Sequence, residues 1–220
     1  MPARESKAAR IARAGRIADK LARLYPDARV TLDFKTPWQL LAATILSAQC
    51  TDERVNMVTP ALFRRYPDPQ ATAAAELREL ERLVVTTGFF RQKARSLKAA
   101  AKQIVECYRG EVPASMDALV KLPGVGRKTA NVVLGHAFGI PGIAVDTHVR
   151  RVAYRLGLTG QSDPDKIEAD LRELLPPEKW TAFSMRLILH GRRVCVARRP
   201  RCSECALLGD CHRKGVRTAL

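Results

Sequence analysis

The stretch Leu122-Pro123-Gly124-Val125-Gly126-Arg127-Lys128-Thr129-Ala130 is the sharpest local signal in the sequence. We predict that a short helix opened by Ser115 stops at Pro123-Gly124, and that a second helix begins near Arg127. Two glycines one residue apart permit positive φ angles and the close approach of another backbone. Free N–H groups at the start of the second helix then form an anion site, most simply for a DNA phosphate. The alternative is an ordinary corner between two helices.

Lys128 stands in the first turn of this second helix, where the positive end of the helix dipole disfavours a cation. It is either a solvated side chain or phosphate contact, or a nucleophilic amine favoured by partial desolvation and the helix end. Asp146 follows a short apolar run and precedes another helical pattern. It is either a plain N-cap or a carboxylate that also faces Lys128. A lysine and an aspartate fixed in one cleft could perform amine attack at a sugar carbon.

The rest of the chain also has a helical pattern, so we predict an all-α fold. Thr36-Pro37 is a cap followed by a proline at the first helical position, and Leu41, Thr44, Ile45 and Ala48 share one face. Further helices are predicted over residues 73–85 and 95–108. Ser162 or Asp163 is expected to cap a helix that begins at Pro164. No run has the alternating character of a strand.

The charge balance points to a polyanionic partner. The 220 residues include 38 Lys and Arg against 22 Asp and Glu, a net charge of +16. Nucleic acid is the leading candidate, and a basic protein without such a partner is the alternative. The start of the chain lacks the apolar segment of a signal peptide, and no apolar stretch is long enough for a membrane helix. We therefore expect an intracellular protein without structural disulfides.

Four cysteines near the end of the chain form the pattern C-x6-C-x2-C-x5-C: Cys195, Cys202, Cys205 and Cys211. Such a cluster in an intracellular chain indicates a metal site. Zinc favours two short C-x2–4-C pairs, and only one pair here is that short, so the spacing favours a [4Fe–4S] cluster while leaving zinc open. Four free thiols are the third alternative. Cys50 and Cys107 are isolated and are expected to be small buried residues. A loop fixed by the cluster would also fix Arg198, Arg199 and Arg201, which suit phosphate.

Several motifs together resemble one family of DNA repair enzymes. Leu122–Ala130 looks like the helix–hairpin–helix of the DNA glycosylases, and Val145-Asp146-Thr147-His148 resembles their catalytic-aspartate loop. The segment from His190 through the four cysteines resembles the iron–sulfur loop of the endonuclease III branch. Leu46–Asp52 and Thr87–Phe90 resemble that branch's two DNA-inserting loops. The likeness covers about residues 30–212.

The resemblance implies a particular architecture and activity. Residues 30–140 would form a six-helix barrel with the hairpin. Residues 1–29 and 141–220 would form a discontinuous domain with the [4Fe–4S] cluster, and a DNA groove would lie between the two domains. The implied enzyme is a bifunctional DNA glycosylase and AP lyase of base excision repair. Its partner is duplex DNA with an oxidised pyrimidine, flipped out of the helix, or an abasic site. We expect a cytoplasmic, nucleoid-associated monomer that binds no membrane.

The resemblance also assigns residues. Lys128 would be the nucleophile and Asp146 the essential acid. The four cysteines would be the cluster ligands. The expected DNA contacts are Gln49, Phe89, Gly124, Val125, Gly126, His148, Arg198, Arg199 and Arg201. Phe89 is a departure, because an aliphatic wedge is expected there, and Cys50 stands where a smaller residue is typical.

Two rival functions follow from the same residues. The first is a monofunctional, adenine-type glycosylase that shares the cluster spacing. That rival lacks a lysine at the position of Lys128 and normally carries an additional C-terminal domain. The second is a DNA-binding module without chemistry, for which steep salt dependence and no strand cleavage are expected. The joint presence of Lys128 and Asp146 favours the lyase over both.

Overall fold

A computed structural model describes residues 5–220 of the chain. In this part the backbone forms α-helices and two short 3-10 turns, with no strand. The all-α prediction is therefore confirmed. The helices are α1 (Lys7–Leu24), α2 (Pro37–Leu46), α3 (Asp52–Arg65), α4 (Pro69–Ala74), α5 (Leu77–Val84), α6 (Phe90–Tyr108), α7 (Met116–Leu119), α8 (Arg127–Ala137), α9 (Thr147–Leu156), α10 (Pro164–Leu174) and α11 (Pro177–Arg193). None of the helices of residues 5–220 is long and apolar enough to cross a membrane.

The chain divides into two compact units, Val30–Ile140 and the combination of Met1–Arg29 with Pro141–Leu220. We call them the middle unit and the terminal unit. The middle unit contains α2 to α8, and the terminal unit contains α1, α9, α10 and α11. Their residue ranges are those of the two predicted domains, while a barrel and a cluster domain remain predictions.

Helix α2 is the central element of the middle unit. Thr36 caps it by accepting a hydrogen bond from the Gln39 N–H, and Pro37 occupies the first turn, as the sequence predicts. The residues from Leu40 to Leu46 are all buried, because α3, α6 and α8 pack around this helix. The predicted face is buried at Leu41, Thr44 and Ile45, but it is only part of the buried surface because α2 is enclosed, and Ala48 lies beyond its end.

The predicted helix over residues 73–85 is confirmed for α5 (Leu77–Val84), but its start is wrong, because the chain breaks between α4 and α5. Ala75 is extended, with ψ of 145°. Its carbonyl accepts a hydrogen bond from Lys98 Nζ of α6 at 2.7 Å. This hydrogen bond from α6 gives the Ala75 carbonyl the partner that a continuous helix would otherwise supply. No pattern in the neighbouring sequence predicts it. Helix α6 also starts earlier than predicted, at Phe90 rather than Arg95.

The terminal unit has its own apolar core. Helices α1 and α9 both pack on α11, and α10 packs on α1. Residues from all four helices are fully buried, among them Ile17, Val152, Leu171 and Phe183. Asp163, rather than Ser162, caps α10 by accepting hydrogen bonds from the N–H groups of Asp165 and Lys166.

Candidate functional site

The glycine hairpin joins α7 to α8 through residues 120–126. Helix α7 ends at Leu119, four residues before the predicted stop at Pro123, because short turns close the intervening backbone. Gly124 has φ of +79°, and a Cβ there would lie 2.8 Å from the Cβ of Ser96 in α6. Both uses predicted for a glycine, positive φ and close approach, are thus found at Gly124.

Gly126 has a different role. Its φ is −93°, and a Cβ there would meet nothing within 4 Å. As the N-cap of α8 it brings no side-chain acceptor to the first turn. The N–H groups at the start of α8 are therefore left without a capping side chain, as an anion site requires. The Val125 side chain is buried, so that residue has only backbone atoms to offer a phosphate.

Lys128 lies in the first turn of α8 with an exposed side chain. Its amine makes no hydrogen bond or ion pair with another residue in the described range, 5–220. The positive end of the α8 dipole disfavours a cation, and no carboxylate among the described residues neutralises the Lys128 amine there.

Asp146 caps α9 in the terminal unit, as the sequence predicts. Its Oδ1 accepts hydrogen bonds from the N–H groups of His148 and Val149, both at 2.8 Å. Its Oδ2 has no hydrogen-bonding partner within residues 5–220, and the residue is only partly buried. One oxygen thus orients the carboxylate, and the other is available to a ligand.

His148 follows the cap and is held by an arginine. The Nη2 of Arg151 lies 3.1 Å from His148 Nδ1, and an arginine can only donate. Burial lowers the pKa of His148, and Arg151 and Arg192 lower it further against the opposing effect of Asp146. Burial and the two arginines therefore favour the neutral imidazole, against a hydrogen bond to the Gly191 backbone that raises its pKa.

Gln49 and Phe89 both lie in left-handed backbone, with φ of 52° and 47°. This conformation is uncommon for residues other than glycine and is concentrated at functional sites. The Phe89 side chain is 67% exposed, although an aromatic ring gains by burial. The structure brings both residues and Gly124 together around one cavity of the middle unit. Three of the predicted DNA contacts are therefore neighbours in space.

Sequence reasoning missed Lys93, which lines the same cavity. It is 5% exposed, and its Nζ donates a hydrogen bond of 2.6 Å to the Thr87 carbonyl, which supports the turn before Phe89. Burial lowers the pKa of Lys93. The available signal was its position: Lys93 precedes Leu97 and Ala101 at helical spacing on the apolar face of α6.

The four clustered cysteines line one cavity of the terminal unit, together with Val152, Leu156, Val194 and Leu208. Burial raises the pKa of the Cys205 and Cys211 thiols, and the neighbouring cysteines add to the effect. Within residues 5–220, no three His, Cys, Asp or Glu side chains form a group that could hold a metal ion. Four thiols around one largely apolar cavity nevertheless fit the donor set of a thiolate-bound cluster.

Residues 194–211, which we call the cysteine loop, are held by short backbone turns of their own and by arginines that bind the first carbonyls of the loop. Arg155 of α9 is buried and donates to the carbonyls of Val196 at 2.7 Å and Ala197 at 2.8 Å. Arg151 donates to the Cys195 carbonyl at 3.1 Å. Arg198, Arg199 and Arg201 are exposed on this loop, where the sequence predicts phosphate contacts. Cys50 is only half-buried and Cys107 is exposed, so their predicted burial is wrong.

Comparison with known proteins identifies the family. Residues 42–177 match the model of the "HhH-GPD superfamily base excision DNA repair protein". The chain belongs to the HhH-GPD superfamily. The matched residues include the glycine hairpin, Lys128 and Asp146, and they end before the cysteine loop.

Individual relatives in the HhH-GPD superfamily cover most of the chain. Endonuclease III of Synechocystis is 58% identical over 192 residues, which are 87% of this chain and 88% of the relative. Endonuclease III of Bacillus subtilis is 47% identical, over 88% of this chain and 89% of its own length. A solved structure described as a trapped endonuclease III–DNA covalent intermediate is 44% identical with a TM-score of 0.87, covering 92% of this chain and 96% of that one. The predicted function, a DNA glycosylase and AP lyase of base excision repair, is confirmed over both rivals.

Proposed function

We propose that this enzyme removes oxidised pyrimidines from duplex DNA and then cuts the strand, with Lys128 as the nucleophile and Asp146 as the assisting acid. The observation that carries the proposal is the exposed, unpaired amine of Lys128 in the first turn of α8. It is supported by the related structure described as a covalent intermediate with DNA, because such an intermediate requires a nucleophile.

The chemistry begins at the sugar of the flipped nucleotide. Once the Nζ of Lys128 has lost a proton, it attacks C1′, and the bond to the damaged base breaks with its electron pair leaving on the base. The nitrogen then passes a proton to O4′ as the C1′–O4′ bond breaks, which opens the sugar ring and gives a protonated Schiff base. Removal of a C2′ proton expels the 3′ phosphate by β-elimination. Water finally hydrolyses the Schiff base and regenerates the lysine.

Asp146 is suited to assist because its two oxygens differ. Oδ1 is fixed by two backbone N–H groups, while Oδ2 has no partner in the described part of the chain. We assign to Oδ2 the removal of the Lys128 proton or the stabilisation of positive charge on the sugar. The fixed Oδ1 keeps the carboxylate in place without costly reorganisation during the reaction.

The DNA contacts follow from the positions of the predicted residues. The N–H groups at the start of α8, beside Gly124, Val125 and Gly126, would bind a phosphate. Gln49 and Phe89 would fill the space left by the flipped nucleotide, since an inserted side chain offsets part of the unstacking cost. Neutral His148 and the arginines Arg198, Arg199 and Arg201 would contact the backbone.

We assign a [4Fe–4S] cluster to Cys195, Cys202, Cys205 and Cys211. A bound cluster would take the four cysteine thiolates as ligands and would so fix the cysteine loop. The residues around it position the exposed arginines of the cysteine loop for phosphates. We further propose that the enzyme acts as a monomer on the DNA of the nucleoid.

Borohydride trapping tests the assignment of the nucleophile. Incubation with duplex DNA that contains one oxidised pyrimidine, followed by borohydride, should give a covalent adduct. We expect Lys128→Ala and Lys128→Arg both to lose the adduct, because the arginine keeps the charge but lacks a nucleophilic amine. The control is Lys102→Ala, which removes an exposed lysine of α6 and should leave the adduct unchanged.

The outcomes separate the alternatives. An adduct that persists in Lys128→Ala would overturn the assignment of this lysine. Base release by the wild-type protein without any adduct would instead indicate water as the nucleophile, and the lyase mechanism would be wrong.

A further inference from the structure

A second cavity of the terminal unit lies along the exposed face of α9. Thr147, Arg150, Arg151 and Tyr154 line it, and their spacing places them on one face of the helix. The loop residues Gly160, Gln161 and Ser162 and the turn at Lys214-Gly215 form the other walls. We call it the α9 cavity. None of its residues is assigned a part in the proposed lyase chemistry.

The cations of the α9 cavity fall into two groups. Arg151 and Arg155 use their guanidinium groups to hold carbonyls of the cysteine loop. The side chains of Arg150 and Lys214 are exposed and make no hydrogen bond or ion pair with any residue from 5 to 220. These two cations are therefore available to a ligand.

No carboxylate neutralises these cations from the wall of the cavity. The lining contains four basic residues and no Asp or Glu among the described residues. The nearby Asp163 directs Oδ1 to the N–H groups of Asp165 and Lys166 as the cap of α10. The α9 cavity is thus suited to an anion that makes several contacts, as a phosphodiester chain does.

An aromatic ring stands among these cations. Tyr154 is 42% exposed, although it lies on a helix with a buried opposite face. A Cβ on Gly215 would lie 3.2 Å from Tyr154 Cε1, so the glycine backbone packs against the ring. A Cβ on Gly160 would meet nothing within 4 Å, so this part of the wall is open. The ring is supported at one edge and accessible elsewhere.

We propose that the α9 cavity binds a single-stranded DNA segment, with phosphates on Arg150 and Lys214 and a base stacked on Tyr154. Cationic walls with an exposed aromatic ring are the combination that single-stranded nucleic acid requires. Paired bases are stacked inside a duplex and offer no free face to the ring, so Tyr154 favours the unpaired strand. Binding itself does not depend on the proposed function. Only the biological role of this binding rests on it, because strand cleavage by the lyase produces a free strand end.

Binding of short fluorescent oligonucleotides to the full-length protein tests this proposal without any lesion or chemistry. The probes are a six-nucleotide thymidylate and a matched oligonucleotide whose central nucleotides are abasic and chemically reduced. The two have the same charge, and the reduced sugars cannot react with an amine. We expect the wild-type protein to prefer the thymidylate by about 5-fold or more, the value of one stacked base.

Three variants assign the contacts. Tyr154→Ala should abolish the preference between the two probes, while Tyr154→Phe should keep it. Arg150→Ala should weaken both probes and reduce the salt slope by about 0.7, the value for one phosphate contact on a single strand. The charge-matched control is Arg23→Ala, an exposed arginine of α1 in the same unit.

Each contrary result overturns the proposal. An unchanged preference in Tyr154→Ala would exclude stacking on this ring. Equal effects of Arg23→Ala and Arg150→Ala would mean that only the overall charge attracts the probes. If the variants weaken an undamaged duplex as much as the single strand, the cavity binds the duplex backbone instead. A failure of the borohydride test leaves these binding results unaffected, so the two proposals fail separately.

Discussion

The glycine hairpin and the cysteine loop are both irregular segments, but different contacts hold them. The hairpin closes on itself: the Leu122 N–H donates to the Leu119 carbonyl and the Val125 N–H to the Leu122 carbonyl. The cysteine loop also has turns of its own, such as the one that the Cys205 N–H closes on the Cys202 carbonyl, but its first carbonyls depend on a side chain from another helix. Arg155 of α9 reaches the carbonyls of Val196 and Ala197.

This difference explains which segment can be read from a sequence. Neighbouring residues supply the hydrogen-bond partners of the hairpin backbone, so the nine residues from Leu122 to Ala130 are enough to predict it. The backbone groups of the cysteine loop need partners as much as any buried carbonyl does. Several of these partners lie far away along the chain, as with Arg13 and the Asp210 carbonyl, which are 197 residues apart and 2.9 Å distant.

The largest effect is expected from Arg155→Met, which retains bulk but removes the donors to the Val196 and Ala197 carbonyls of the cysteine loop. The part-buried carbonyls of Val196 and Ala197 would lose their partners, and each orphaned group costs about 1–3 kcal/mol. We expect a loss of about 3 kcal/mol or more in the free energy of unfolding, measured by urea denaturation. The control is Arg150→Met, one turn away and exposed, with an expected change below about 0.5 kcal/mol.

If Arg155→Met were no worse than its control, the loop would not depend on that arginine. The contrast between the two irregular segments would then be wrong.

A smaller effect is expected in the hairpin from Gly124→Ala. The left-handed backbone costs a residue with a Cβ about 1–2 kcal/mol, and that Cβ would also press on Ser96. We expect a total loss of about 2–3 kcal/mol in the same urea experiment. Gly126→Ala is the matched control, with a cost of about 0.5–1 kcal/mol from the N-cap preference for glycine over alanine, because its φ is ordinary and its surroundings are open. Equal losses in the two variants would show that the turn tolerates either position.

The smallest effect concerns His136 in the last turn of α8. Burial lowers the pKa of this imidazole below its unfolded value of about 6.5. As the pH falls from 7 towards 5, the unfolded chain binds this proton more readily than the folded one, so folding stability decreases. We expect His136→Gln to flatten part of the decrease in the urea midpoint over this range. Any change in the urea midpoint at pH 8 reports lost packing alone. If the midpoint of His136→Gln falls with pH as steeply as that of the wild type, His136 does not contribute to the decrease.

The sequence predicted those parts of the fold whose determinants are local. Thr36, Asp146 and Asp163 cap helices at or within one residue of the predicted positions, because an N-cap is decided within three residues. The break between α4 and α5 was missed because it depends on Lys98, more than twenty residues away. The enclosure of α2 was missed because periodicity describes one face and does not reveal how many neighbours a helix has.

The candidate site divides in the same way. The sequence placed Lys128 and Asp146 at helix starts, and both lie there. It named Gln49 and Phe89 only through a family resemblance, and their left-handed backbone has no local signature. Lys93 was missed because a buried lysine looks, in a sequence, like a solvated one. Their roles in the reaction remain predictions for the trapping experiment.

The basic side chains of α1 also bear on which unit can fold first during synthesis. Arg13 contacts the carbonyl of Asp210, and Arg16 and Lys20 contact its carboxylate. At about 5–20 residues per second, a ribosome needs roughly ten to forty seconds to reach those partners after α1 has been made. Helices in proteins gain most of their stability from packing of an apolar face, so α1 lacks its stabilising contacts during this interval. The middle unit has all of its own residues long before then, so it is free to fold first, while the terminal unit can close only as the last residues emerge.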